Sequence, residues 1–272
     1  MLYDSHTHTT NSDGRNTLDE MCQSAIEAGV CGLMITDHAD MNFYESRDTY
    51  NRIDSAIKQI RQAQIKYKDR LELLCGVELG EYCYAPENAD RILQLTNYDA
   101  VLCSVHLVPA ARWEKPYNRI VFSEDGTDKE LAEYIRLYLE LLTKTVDSFD
   151  FQILAHIACP VRYMSGKYGR NIDMLQFEPL ICEIMGKILQ KGVALEYNAA
   201  GQGSSFDFYK MQCLKIFEMY YNMGGRLITL GSDAHQSNTI AGGFKEANAT
   251  LKRLGFEYYH YYKQGKPCAV KL

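Results

Sequence analysis

Seven short apolar runs, most of them closing on an acidic or imidazole side chain and each followed by a helical pattern, leave this 272-residue chain few architectures. The first run, from Leu2 and Tyr3, ends in Asp4-Ser5-His6-Thr7-His8. The others read as strands over 32–38, 71–78, 100–106, 151–156, 193–198 and 226–235. Between them, Thr17-Leu18-Asp19-Glu20 is a capping box whose helix runs to Ala28 and stops at Gly29. A second helix over 50–67 presents Ile53, Ile57, Ile60 and Ala63 on one face, and Pro86 opens a third through Leu95. A second capping box, Thr127 to Glu130, starts a helix striped by Leu131, Tyr134, Ile135, Tyr138, Leu141 and Leu142. Further helices are expected over 174–191, 206–222 and 238–254, then a tyrosine-rich tail. The 107–126 stretch reads as an irregular loop holding the only tryptophan, Trp113.

Strands alternating with helices without a Pro/Ser-rich linker signify a parallel sheet wrapped by helices. Seven such units fit an α/β fold of the TIM-like barrel type, one domain over residues 1–272. A doubly wound open sheet is the alternative, but no GxGxxG follows the first strand.

The histidines are sorted by this pattern. Of seven, six fall at strand ends: His6, His8, His38, His106, His156 and His235; only His260 lies in the tail. Glu78 and Asp233 end two more runs, and Asp37 precedes His38. His6 and His8 stand two apart, so an extended chain projects both imidazoles to one side. All strand C-termini of a parallel barrel meet at one rim, and so many imidazoles and carboxylates packed together there need cations between them. Imidazole and carboxylate ligands without thiolate suit zinc, manganese or iron.

Composition removes other classes. The net charge of −6 and the lack of a long Lys/Arg run argue against nucleic acid as a partner. No apolar run is long enough to cross a bilayer, and the N-terminus lacks the basic start and apolar core of a signal peptide. Nine cysteines scattered in apolar contexts, without CxxC, read as reduced core residues of a cytoplasmic protein.

The motifs HxH…SDG (His6, His8, Asp13, Gly14), TDH (Asp37, His38), GVE (Gly76–Glu78), SVH (Ser104–His106), AH (Ala155, His156) and GSDAH (Gly231–His235), in this order, resemble the PHP family, named for polymerase domains and histidinol phosphatase. The resemblance covers almost the whole chain. It implies a distorted (β/α)7 barrel with two or three divalent ions. One ion would take His6, His8, Glu78 and Asp233; a second would share Glu78 and take His106 and His156; a third would take Asp13, His38 and His235. Asp37 is expected to orient a neighbouring imidazole.

Divalent ions at close spacing acidify a bridging water and clamp phosphate oxygens, which suits in-line attack on phosphorus without a serine or cysteine nucleophile. Arg162, six residues after His156, is the expected cation for the remaining phosphate charge, and its HI…P-x-R-Y setting resembles histidinol-phosphatase members. Arg162, Asp233 and His235 are thus the expected catalytic residues, and Arg162, Asn198, Arg112 and Tyr117 the expected substrate contacts. Weaker candidates are Lys115 and Arg47 for phosphate, Tyr82, Tyr84 and Trp113 for a pocket wall, and Glu81 or Asp40 for an ammonium or the leaving alkoxide. Asn198 lies in a stretch like the family's E-x-N-x-x-G strand, but a basic residue often found beyond it is replaced here by Gln202-Gly203-Ser204-Ser205. The expected activity is metal-dependent hydrolysis of a small phosphomonoester, L-histidinol phosphate first. A phosphodiesterase acting on nucleotides and a catalytically silent metal-stabilised scaffold are the alternatives.

Overall fold

A computed structural model describes residues 1–108, 115–122, 126–201 and 203–272. The strands are β1 (Tyr3–Thr7), β2 (Gly32–Ile35), β3 (His38–Asp40), β4 (Glu72–Gly80), β5 (Ala100–Ser104), β6 (Ile153–Leu154), β7 (Ala194–Asn198), β8 (Ile228–Gly231), β9 (Tyr258–Lys263) and β10 (Lys266–Lys271). The helices are α1 (Leu18–Glu27), α2 (Thr49–Tyr67), α3 (Pro86–Leu93), α4 (Asp128–Ser148), the short α5 (Cys159–Val161), α6 (Glu178–Lys191), α7 (Asp207–Asn222) and α8 (Phe244–Arg253). Both capping boxes are formed: Thr17 and Thr127 each accept from the backbone N–H three residues on, and Glu20 and Glu130 return the bond. Gly192, at φ 66°, ends α6 in the left-handed conformation that a side chain would strain.

Parallel pairing runs β1-β2-β4-β5-β6-β7-β8, with β3 extending β2 along β4. The chain returns to its start where β8 runs out: a parallel bridge joins Thr7 to Ala234, with bonds from His8 N to Ala234 O (2.9 Å) and Asp233 N to His6 O (2.9 Å). These strands and the helices around them form the TIM-like barrel that the alternating pattern implied, in the distorted (β/α)7 form that the family resemblance implied. Their residues are buried on both faces, which is why they read as unbroken apolar runs. Barrel residues such as Leu33, Leu102, Leu195 and Leu230 and helix residues such as Ile135 and Ile184 belong to one buried cluster.

Three local expectations are corrected. The 32–38 run is two strands, because the chain bends at Thr36 and Asp37 before β3 resumes against β4. The fifth run shortens to Ile153–Leu154, since His156 takes φ 22° and leaves the ladder. The tail is a β-hairpin turning at Gln264-Gly265, both at positive φ, as tight hairpin turns require. This hairpin lies across the mouth opposite the strand C-termini: Tyr261 stacks on Tyr3 at 3.7 Å, Lys263 pairs with Glu72, and Gln264 N donates to Asp99 Oδ1 at 2.8 Å.

The seam between β1 and β8 is tied by Asp4, which is buried and accepts bonds from Ser232 N (3.0 Å), Ser232 Oγ (2.5 Å) and Ala241 N (2.9 Å). Replacing Asp4 by alanine orphans the two buried Ser232 donors and the half-buried Ala241 N–H and is expected to lower unfolding free energy by about 3 kcal/mol, read as a shifted urea midpoint at unchanged slope.

Candidate metal centre

The strand C-termini carry their polar residues to one rim, and Glu78 stands at its middle. The β3–β4 register sets His38 directly beside Glu78. Around this fully buried carboxylate lie His156 Nε2 at 2.7 Å and His106 Nε2 at 3.1 Å from Oε1, with His38 Nδ1 at 3.0 Å, His6 Nε2 at 3.2 Å and His8 Nε2 at 3.6 Å from Oε2. Asp233 Oδ1 is 3.3 Å from His8 Nε2 and 3.8 Å from His6 Nε2. Asp13 Oδ1 sits nearer the surface, 3.0 Å from His235 Nε2 and 3.5 Å from His38 Nε2.

Nine residues spread from position 6 to 235 therefore converge. Donor atoms within 4.8 Å of one another form the sets His6, His8, Asp233; His6, Glu78, His156; His38, Glu78, His106; His8, Asp13, His38, His235; and Asp40, Glu81, His106. The expected division differs at two rings. His8 joins the outer set as well as the inner, and His38 reaches Glu78, because these rings stack at 4.3 Å and both stand between the sets.

Carboxylates one layer further out aim the rings. Glu196 Oε1 lies 2.6 Å from His6 Nδ1 and Asp40 Oδ1 lies 3.0 Å from His106 Nδ1. With an ion bound, each would take the ring proton on the far nitrogen and leave the nitrogen facing Glu78 free to ligate. Imidazole nitrogens and carboxylate oxygens thus stand at contact distance inside a buried site, an arrangement that suits cations between them. His8 Nε2 and His156 Nδ1 have no hydrogen-bond partner. Oxygen and imidazole donors in these numbers fit divalent transition metals.

The local field is uneven. Burial, with His235 and His38 close by, pushes His8 down to about 3. Burial alone would lower His38, but the Glu78 and Asp40 carboxylates outweigh it and raise the ring to about 9. Burial would raise Glu78 and Asp233; the imidazoles of His38 and His106 hold the first, and the Arg162 guanidinium the second, well below the usual carboxylate range. Three non-glycine residues of the rim take positive φ, namely Glu81 (53°), His156 (22°) and Asp233 (53°), strain of about 1–3 kcal/mol each that the surrounding bonds hold in place.

Arg162 opens a π-helical turn, Arg162–Lys167, after α5, and is buried rather than a surface arginine. Its guanidinium donates to Asn198 Oδ1 and to Asp233 Oδ2, each at 2.9 Å. Asn198 is thus part of the rim, donating to Asp233 Oδ2 at 3.3 Å. Tyr117 is buried, its ring 5.8 Å from that of His106 and 5.3 Å from Tyr163. Arg47 reaches Asp40 Oδ2 at 3.4 Å, and Lys115 is exposed. Arg112 and Trp113 lie outside the described residues.

Asp37, expected against an imidazole, instead accepts from Thr9 N (2.7 Å), Thr9 Oγ1 (2.7 Å) and Ser12 Oγ (2.6 Å), bracing the loop that carries Asp13. Tyr82 donates to Asp90 and stacks on Phe149 at 4.5 Å, so it packs between helices rather than walling a pocket; Tyr84 is exposed. Glu81 is buried with Oε1 bound by the backbone N–H groups of His106 and Leu107, and burial together with Asp40 raises it to about 7. The residues that sequence reasoning left without a role are Glu196 and Asp4. A strand-end acid two residues before Asn198 was the available signal for Glu196.

The PHP domain pattern matches residues 4–200. The chain belongs to the PHP domain family. Among curated proteins, the probable histidinol-phosphatase of Thermotoga maritima is 28% identical over 261 residues, covering 94% of each chain. That of Clostridium acetobutylicum is 28% identical over 271 residues, covering 94% of this chain and 97% of its own. Among solved structures, the Lactococcus lactis histidinol phosphate phosphatase complexed with zinc, L-histidinol and phosphate aligns over 98% of both chains with TM-score 0.79 at 21% identity, a likeness of fold.

Proposed function

We propose that this chain is a metal-dependent phosphomonoesterase of the cytoplasm that hydrolyses L-histidinol phosphate to L-histidinol and phosphate, with residues 1–272 acting as one domain. The observation that carries the reading is the buried Glu78 carboxylate with four imidazole nitrogens within 3.2 Å of its oxygens. The curated relatives named for this activity, matched over nearly their whole lengths, support the substrate.

His6, His8, Glu78 and Asp233 would hold one divalent ion, Glu78, His106 and His156 a second, and Asp13, His38 and His235, with His8 beside them, a third; zinc, manganese and iron all suit these donors. Such ions, when bound, acidify a water and neutralise phosphate oxygens. The chain's own residues do the rest. Arg162 supplies a fixed positive charge for the phosphate, its fork already oriented by Asn198 and Asp233. Asp233 and His235 hold the rim face on which the ester lies, and Tyr117 packs under His106. Arg112 is a further candidate contact.

Purified protein supplied in turn with zinc, manganese and iron should release phosphate from L-histidinol phosphate faster than from sugar phosphates and nucleotides. Chelation should abolish release and restored metal should return it. Because imidazoles ligate only when neutral, dialysis at pH 5 should strip ions that stay bound at pH 8. Release from other monoesters alone would replace the substrate while keeping the reaction class. Activity indifferent to chelator would refute the reading.

A further inference from the structure

We infer that Glu196 is a positioning residue that sets the tautomer of His6 and the backbone of His156 together, and so fixes the ion affinity of the inner part of the centre. This rests on the metal reading above. Glu196 is buried in β7, and its two oxygens are divided between two strands. Oε1 lies 2.6 Å from His6 Nδ1 on β1. Oε2 accepts from His156 N at 2.7 Å, the residue at φ 22° just beyond β6, and from Asn198 Nδ2 at 3.3 Å.

A carboxylate at this place does what no neutral group does. It accepts from both neighbours at once, keeps the His6 proton on Nδ1, and leaves Nε2 with its lone pair toward Glu78 and Asp233. The same anion holds His156 in a strained conformation from which Nε2 reaches Glu78 at 2.7 Å. Glutamine has one acceptor, so its amide N–H would confront either the His6 or the His156 donor. The neighbouring strand is shaped to admit the carboxylate: a Cβ on Gly231 would come 2.1 Å from Glu196 Oε1 and 2.6 Å from His6 Cβ. Gly231 therefore serves close approach rather than a turn.

The test compares the unmodified protein with Glu196→Gln and Gly231→Ala, reading zinc affinity by chelator competition and the visible spectrum of the cobalt-loaded protein. Affinity should fall about 10- to 100-fold in both variants, and the cobalt bands should shift. A Glu196→Gln protein that loses thermal stability yet keeps affinity within threefold and an unchanged spectrum would overturn the inference, since a purely structural group behaves that way. Where a variant fails to fold, nitrogen NMR of histidine-labelled unmodified protein decides: the His6 proton belongs on Nδ1, and finding it on Nε2 overturns the role. Unmodified protein that binds neither zinc nor cobalt would sink the metal reading and this inference with it; binding that Glu196→Gln leaves untouched would sink this inference alone.

Discussion

Glu78→Gln should bind markedly less metal and lose at least about a thousandfold in kcat/KM, a barrier rise of about 4 kcal/mol. The expectation follows from position. Among the described residues, Glu78 is the one carboxylate shared by the imidazoles of His6, His38, His106 and His156, whereas Asp233 and Asp13 each serve one side of the cluster. The amide preserves shape and volume but offers one acceptor and no charge, so two imidazoles face an N–H group. Metal content by elemental analysis and phosphate release from L-histidinol phosphate are the measurements, with circular dichroism as the folding control. A folded variant that keeps a tenth of the activity would remove Glu78 from the centre of the scheme.

Arg162→Lys should cost about 100- to 1000-fold in kcat/KM and weaken inhibition by inorganic phosphate in step. Lysine keeps the charge but cannot reproduce a fork that spans Asn198 and Asp233 with two parallel donors. Arg162→Ala should be worse in a second way: it strands the buried Asp233 carboxylate, a loss of about 3–5 kcal/mol in stability that bound metal offsets in part. Melting curves with and without metal separate that structural share from the catalytic one. Unchanged phosphate inhibition in Arg162→Lys would show that the guanidinium serves Asp233 alone.

How far the chain could be read without coordinates depended on the range of each interaction. The barrel was legible because each run such as Val101-Leu102-Cys103 is buried on both faces and carries its own signal. The rim was legible because imidazoles are rare here and fall at strand ends. What stayed hidden depends on contacts across strands. Glu196 looks like any strand acid until β1 and β6 are placed on either side of it, and Asp37 was assigned to a ring because its sequence neighbour is His38, whereas its partners are Thr9 and Ser12. The C-terminal hairpin was missed for a related reason: Tyr258-Tyr259-His260-Tyr261-Tyr262 lacks a clean alternation, and Gln264-Gly265 is a weak turn pair. Its placement comes from Tyr3, Glu72 and Asp99, far upstream.

The line where β8 meets β1 also runs through the donor cluster, with His6 and His8 on one bank and Asp233 and His235 on the other. A cation shared by the two banks is a clasp on the ring as well as a reagent. In chain order His6, His8, His38, Glu78, His106 and His156 all precede Asp233 and His235, so the sets that include the last two are complete only when β8 docks on β1. Closure of the ring and completion of the donor sets that span it are in that sense coupled.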